Sequence, residues 1–139
     1  MIKATGFNHV TLRVVSLERS LPFYMEVLGM NLVHRGRTDV YLEWGQAWIC
    51  LLERPGKAMD ASVSGGVDHL AFSIDAADFE PAVEALVSSG TSLVRGPVFR
   101  GGGWSVNFLD PDGNQLELFT GTLAERMKVW RQHDPTQTQ

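Results

Sequence analysis

The amino-acid sequence predicts an α+β fold: two βαβββ modules that together make a curved, partly open barrel-like sheet. Two observations carry this. The stretch FNHVTLRV (residues 7–14) is answered further on by VDHLAFSI (residues 67–74), each an alternating apolar segment with a histidine near its head. Behind each follows the same order of elements, one helix and then three short strands, and a duplication of that kind has to be recognised before any motif is weighed. Neither half carries enough strands to stand alone.

Each element has its own local reason. Val10, Leu12 and Val14 alternate with His9, Thr11 and Arg13, the period of a half-buried strand. The segment SLERSLPFYMEVLG (16–29) predicts a helix with Ser16 as N-cap and Gly29 as its stop. Leu21, Phe23, Tyr24, Val27 and Leu28 form its apolar stripe. Pro22 fits a first turn better than an interior, which allows a later start. MNLVHRG (30–36), DVYLEWG (39–45) and AWICLLER (47–54) read as three strands punctuated by Gly36 and Gly45. Residues 55–66, PGKAMDASVSGG, read as a linker between a first module of about 5–54 and a second of about 67–122.

In the second module, DAADFEPAVEALVSSG (75–90) predicts a helix capped by Asp75 or Asp78, with Phe79, Val83, Leu86 and Val87 on one face and Gly90 at its end. TSLVRGP, WSVNFLD and NQLELFT are three more strands. DPDGN (110–114) is a turn, because Pro111 presets φ and Gly113 supplies a positive one. TLAERMKVWRQ predicts a last helix at about 122–132, carrying Leu123, Met127 and Trp130, before a tail expected to be disordered.

Length and composition fit a single soluble globular domain of 139 residues, 44% hydrophobic and 20% charged. A net charge of −4 gives no basic footprint for nucleic acid. No apolar run approaches the roughly 18 residues of a membrane span, and the N-terminus lacks a signal-peptide core. The single cysteine, Cys50, allows no intrachain disulfide, as expected of a cytoplasmic protein.

Strand side chains alternate faces. Val10, Leu12 and Val14, Leu70, Phe72 and Ile74, and Leu116 and Leu118 take the helix side. His9 and Thr11, His69, Ala71 and Ser73, and Gln115, Glu117 and Phe119 then take the other. Trp48, Cys50 and Leu52 share one face of their strand. A surface with two imidazoles, a carboxylate, a hydroxyl, a thiol and aromatics suits a small-molecule site. His9, His69 and Glu117 also make a metal-ligating set suited to Mn²⁺, Fe²⁺, Ni²⁺ or Zn²⁺. Each alone reads more readily as a structural residue; their coincidence in a duplicated frame makes the set. His34 and His133 have no such support and read as surface residues.

The repeat, with NHVTL, DHLAFSI and FLDPDGNQLEL, resembles the vicinal oxygen chelate superfamily of glyoxalase I, extradiol dioxygenases and fosfomycin-resistance enzymes. The resemblance spans about residues 5–127. It implies paired modules around a divalent metal held by His9, His69 and Glu117. It also implies a homodimer in which modules are swapped, so that His9 of one subunit meets His69 and Glu117 of the other.

Within the superfamily the sequence most resembles the fosfomycin-resistance enzymes, which open an epoxide on a metal-bound phosphonate with glutathione, another thiol or water. Mn²⁺ is the metal this implies, with glutathione as a possible co-substrate. YLEWGQAWICLL is similar to their stretch carrying a site tyrosine, tryptophan and cysteine, which makes Tyr41, Trp48 and Cys50 substrate-site residues. Thr11 matches a substrate-contacting threonine with a catalytic role. Arg126, in TGTLAERM, matches a phosphonate-binding arginine. Ser105 is retained in the substrate loop, and Asn107 stands where those enzymes have a substrate-binding tyrosine. Asp39 falls where the water-using type carries its general base.

The loop GPVFRGGGWSVNF departs from the glutathione-using type. Pro97 stands near the lysine position and Gly101 and Gly102 replace ion-binding side chains, which speaks against potassium. Arg95 or Arg100 could restore the lost positive charge. Gly101–Gly103 lacks the Lys-Ser/Thr of a P-loop and reads as a flexible flap over the site.

Three other functions compete. A glyoxalase-like lyase or isomerase needs a fourth ligand, a glutamate, in AWICLLE, where Cys50 holds the inward position and Glu53 has the wrong parity. An Fe²⁺ extradiol dioxygenase needs a further acid–base His and Tyr, and only Tyr41 is on hand. A non-enzymatic drug-binding resistance protein would not need the metal set.

Overall fold

The computed structural model of the chain describes residues 1, 3, 7–56 and 67–133. Most of the expected linker and the tail lie outside them. The chain divides into two compact units, residues 1–63 and 64–139.

In the first unit, β1 (Val10–Val14) leads into α1 (Leu17–Pro22) and a π-helical turn (Phe23–Val27), then β2 (Asn31–Arg35), β3 (Asp39–Trp44) and β4 (Ala47–Glu53). The sheet order is β1-β4-β3-β2. β1 runs parallel to β4, and the other pairs are antiparallel. A parallel pair needs a long crossover, and here it includes α1, β2 and β3.

Ser16 caps α1 as its position predicts, its hydroxyl accepting from Arg19 N–H at 3.3 Å. The helix does not start later to accommodate Pro22. It starts at Leu17, and Pro22 is its last residue. Proline has no N–H for the helical ladder, and the chain widens at once into the π turn, where Leu28 N–H reaches Phe23 O at 3.0 Å. Gly29, at φ +81°, then lets the chain turn away. Leu12, Val14, Leu17, Leu21, Phe23 and Tyr24 are buried with Val40, Leu42, Ile49 and Leu51. Truncating one of these, Leu51→Ala for instance, costs about 2–5 kcal/mol.

The second unit repeats the plan with β5 (Leu70–Ser73), α2 (Ala76–Ser88), β6 (Leu93–Arg100), β7 (Gly103–Leu109) and β8 (Gln115–Phe119), and adds α3 (Leu123–His133). Its order is β5-β8-β7-β6, again with the first pair parallel and the rest antiparallel. Strand, helix and three strands thus occur twice, and the α+β class stands. Phe79 and Leu86 of α2 are buried with Val106, Phe108, Leu116 and Leu118.

Two expected faces are narrower than the spacing suggests. Val87 of α2 is 59% exposed, because Phe79 and Leu86 already fill the contact. On α3, Leu123 and Met127 are exposed rather than packed. No helix among the described residues is long and apolar enough to cross a membrane.

Candidate functional site

Each histidine is the residue just before its strand, His9 before β1 and His69 before β5. Each is gripped by the residue preceding it. His9 Nδ1 lies 2.6 Å from Asn8 Oδ1, and His69 Nδ1 lies 2.6 Å from Asp68 Oδ2. Both partners present an oxygen, so Nδ1 donates in each grip and Nε2 is left pointing away from it. A second partner on Nδ1 is the usual way a metal-binding imidazole is oriented.

In the second unit, His69 Nε2 stands 3.9 Å from Glu117 Oε2. Glu117 is buried, and its Oε2 accepts from Ser105 Oγ at 3.2 Å. An imidazole nitrogen and a carboxylate oxygen that face one another are donors a divalent cation can share. That is the structural test of a divalent ion, and this pair fits one. Ser105 Oγ also lies 3.3 Å from Asn107 Oδ1. Asn107 and Glu117 are direct cross-strand partners of β7 and β8.

In the first unit, four strands align one row of side chains. Thr11 pairs with Cys50, Cys50 with Tyr41, and Tyr41 with His34. The neighbouring row holds His9, stacked on Trp48 with ring centroids 4.3 Å apart, and Tyr41 meets Trp48 edge-on at 5.6 Å. Thr11 also hydrogen-bonds Cys50. Burial pushes the Cys50 thiol above its ordinary range; the Thr11 hydroxyl opposes this, the Asp39 carboxylate adds to it, and the backbone at Val40 opposes it. Asp39 lies two residues before Tyr41, and its carboxylate covers Gly36 in the same hairpin, leaving no room there for a Cβ.

The two registers superimpose the copies. Thr11–Cys50–Tyr41 in the first unit corresponds to Ala71–Glu117–Asn107 in the second. Cys50 therefore occupies the counterpart of Glu117. Glu53 faces the opposite way, its carboxylate accepting from Leu17 N–H at 2.8 Å at the start of α1. At the β4 position where a four-ligand glyoxalase set would need its glutamate, this face carries Cys50.

Within neither unit, among the described residues, do three His, Cys, Asp or Glu side chains gather as a metal site. The second unit brings together His69, Glu117, Ser105 and Asn107. The first brings together His9, Thr11, Tyr41, Trp48 and Cys50, with Asp39 beside them. Arg126 lies on α3 against Gly101. The Gly101–Gly103 segment, expected as a flap, is the turn of the β6–β7 hairpin. It has Arg126 beside Gly101, Glu125 beside Gly102 and Gly121 beside Gly103, so its glycines serve close packing. A cavity of about 370 Å³ lined by Ala76, Phe79, Glu80, Val83, Pro97 and Trp104 shares no residue with the set.

Asn8 and Asp68 were the residues that sequence reasoning missed. Their signal is the repeated dipeptide, Asn-His and Asp-His, at the head of each copy. His34, read as a surface residue, is exposed, with its ring 5.1 Å from Tyr41.

A family model described as the Glyoxalase/Bleomycin resistance protein/Dioxygenase superfamily matches residues 6–118. The chain is 36% identical to the glutathione transferase FosA of Serratia marcescens over 127 residues, 91% of this chain and 89% of that protein. It is 34% identical to the metallothiol transferase FosB of Staphylococcus epidermidis over 131 residues, 94% of this chain and 92% of that protein. Among solved structures, the fosfomycin resistance protein FosX of Mesorhizobium loti is similar at a TM-score of 0.73 and 31% identity, over 90% of this chain and 99% of that one. FosX of Listeria monocytogenes, in complex with Mn(II) and sulfate, is similar at a TM-score of 0.76 and 26% identity, over 92% of this chain and 99% of that one.

Proposed function

The chain belongs to the Glyoxalase/Bleomycin resistance protein/Dioxygenase superfamily, and from that premise we propose that it is a metal-dependent fosfomycin-resistance enzyme. It opens the epoxide of fosfomycin, or of a closely similar epoxy-phosphonate, by adding a thiol such as glutathione or by adding water. The observation that carries the reading is the buried Glu117 carboxylate 3.9 Å from Nε2 of His69, with the oriented ring repeated at His9. The relatives named as fosfomycin-resistance proteins and as glutathione or metallothiol transferases support the reaction class.

In this reading His9, His69 and Glu117 hold a divalent ion, Mn²⁺ by the chemistry of the donors and by the Listeria structure's complex. The two copies of the module divide the donors, and a homodimer with swapped modules brings His9 of one subunit to His69 and Glu117 of the other. When bound, the ion supplies Lewis-acid stabilisation of negative charge on oxygen. The rest falls to the chain. Arg126 offers a planar, permanently charged fork to phosphonate oxygens. Burial keeps Cys50 protonated at neutral pH, so no thiolate competes for the Thr11 hydroxyl proton, and Thr11 donates to a substrate oxygen. Tyr41 and Trp48 wall the carbon skeleton. The nucleophile's lone pair forms the new C–S or C–O bond as the ring C–O bond breaks, and its proton ends on the released oxygen. With water as nucleophile, Asp39 is the base that takes that proton first.

Metal analysis of the purified protein, followed by fosfomycin turnover with Mn²⁺ in the presence and absence of glutathione, tests this. A glutathione adduct identifies the transferase and a diol the hydrolase. Bound metal with neither product overturns the proposal and leaves the family membership intact.

A further inference from the structure

Asn107 is 1% exposed, and its Nδ2 has no hydrogen-bond partner among the described residues. A buried amide donor left unpaired is costly and calls for a physical reason. The reason lies one residue pair away. Ser105 Oγ sits between two acceptors, Asn107 Oδ1 at 3.3 Å and Glu117 Oε2 at 3.2 Å. A hydroxyl has one proton to give. The carboxylate is the stronger acceptor, so the proton goes to Glu117. The remaining lone pairs of Ser105 Oγ then face the carboxamide, where an oxygen is repelled and an N–H is attracted. Half a turn of the carboxamide about its last bond exchanges its two ends. Nδ2 then donates to Ser105, and one rotation removes both the orphaned donor and the clash of acceptors.

We propose that Asn107 is a positioning residue for Glu117. It acts through a one-way chain of hydrogen bonds, Asn107 N–H to the Ser105 oxygen and Ser105 O–H to the Glu117 carboxylate. The strand register supports it: Asn107 lies directly across from Glu117, and Ser105 is two residues along the same face of β7. The chain fixes the rotation at which the carboxylate faces His69 Nε2. Asn107 and Ser105 thereby serve the metal-binding carboxylate rather than the substrate. The inference rests on the metal-binding reading above and adds a separate claim to it.

Mn²⁺ titration of the full-length protein, followed by the electron paramagnetic resonance of free Mn²⁺, separates the two. The variants are Glu117→Ala, Ser105→Ala, Asn107→Ala, Asn107→Leu and the double variant Ser105→Ala/Asn107→Ala. Leu nearly preserves the shape of Asn and removes its donor. Ser105→Ala, Asn107→Ala and Asn107→Leu should each weaken Mn²⁺ binding about 10- to 100-fold. The double variant should match Ser105→Ala within about twofold, since Asn107 acts only through Ser105. Wild-type affinity in both Asn107 variants overturns the proposal. So does recovery in Asn107→Leu alone, which would mean packing, and so does a raised KM for fosfomycin at unchanged Mn²⁺ affinity, which would mean substrate contact. If both Asn107 variants fail to fold, the role is structural and the proposal falls. A wild-type protein that binds no Mn²⁺, or a Glu117→Ala variant that binds it fully, instead overturns the metal-binding reading itself.

Discussion

Replacing Asp110 should cost more stability than almost any other polar substitution in the second unit, and the size can be worked from its contacts. Asp110 is buried at the turn before β8. Its Oδ1 accepts from Asp112 N–H at 2.9 Å and Asn114 N–H at 2.7 Å, and its Oδ2 accepts from Asn114 Nδ2 at 2.8 Å. In Asp110→Ala the Asp112 N–H is reached by water, whereas the two Asn114 donors stay buried. A buried donor stripped of its acceptor costs about 1–3 kcal/mol, so the loss should be about 3 kcal/mol. An unfolding entropy of about 2.1 cal/mol/K per residue turns that into a fall in Tm of about 10 °C. Asp110→Asn keeps the two contacts at Oδ1 and sets one amide nitrogen against another, so it should cost about 1 kcal/mol. Denaturant titration at one fixed protein concentration measures both, with the slope m checked for constancy. Equal losses in the two variants, or a loss under about 1 kcal/mol in Asp110→Ala, would refute the reasoning.

Cys50 should make stability fall in alkali. Its folded pKa is raised, chiefly by burial, so the native state holds the thiol proton where the unfolded chain has lost it. The contribution is fully present below the unfolded thiol value of about 8.5 and is lost as pH rises toward the folded one. Cys50→Ala should flatten the slope above about pH 8.5, and an unchanged slope would assign it to other groups. Gly103→Ala should be expensive, since its Cβ would sit 2.5 Å from Gly121 N and 2.7 Å from Gly121 Cα. A loss of about 1–3 kcal/mol is expected, against about 1 kcal/mol for Gly45→Ala, a positive-φ position with open space around it. Similar melting temperatures for the two would show that the hairpin yields easily. Mn²⁺ should alter tryptophan emission because Trp48 stacks on His9, and Trp48→Phe should lose most of the change. A full response in that variant would place the ion's effect elsewhere.

What the sequence revealed was what is written locally. Alternation in VTLRV and LAFS fixes which side chains share a face, and the registers align those faces into rows. Ser16 and Gly29 mark the helix boundaries through hydrogen bonding and a positive φ that their own chemistry supplies. Strand alternation alone turns Glu53 away from Cys50 and toward Leu17 N–H. The π turn after Pro22 was not legible, since a missing N–H can be met by shifting the start or by widening the next turn. Val87 shares the apolar spacing of its helix, and its exposure depends on how much surface a neighbouring element covers, which spacing does not encode. The grip of Asn8 and Asp68 on the rings was hidden because neighbours in a strand point apart; here the histidines stand just outside the strands, where that rule lapses.

A duplicated chain also contains its own control experiment. Any trait that the fold imposes should appear in both copies, and any trait found in only one answers to something else. The Nδ1 grip and the parallel pairing of first and last strands pass in both halves. The pairs Cys50 against Glu117, Tyr41 against Asn107 and Thr11 against Ala71 do not. Those three positions share backbone, register and face, so architecture cannot account for their differences. Exchanging residues between the copies at these positions alone would therefore separate demands of chemistry from demands of folding within one molecule.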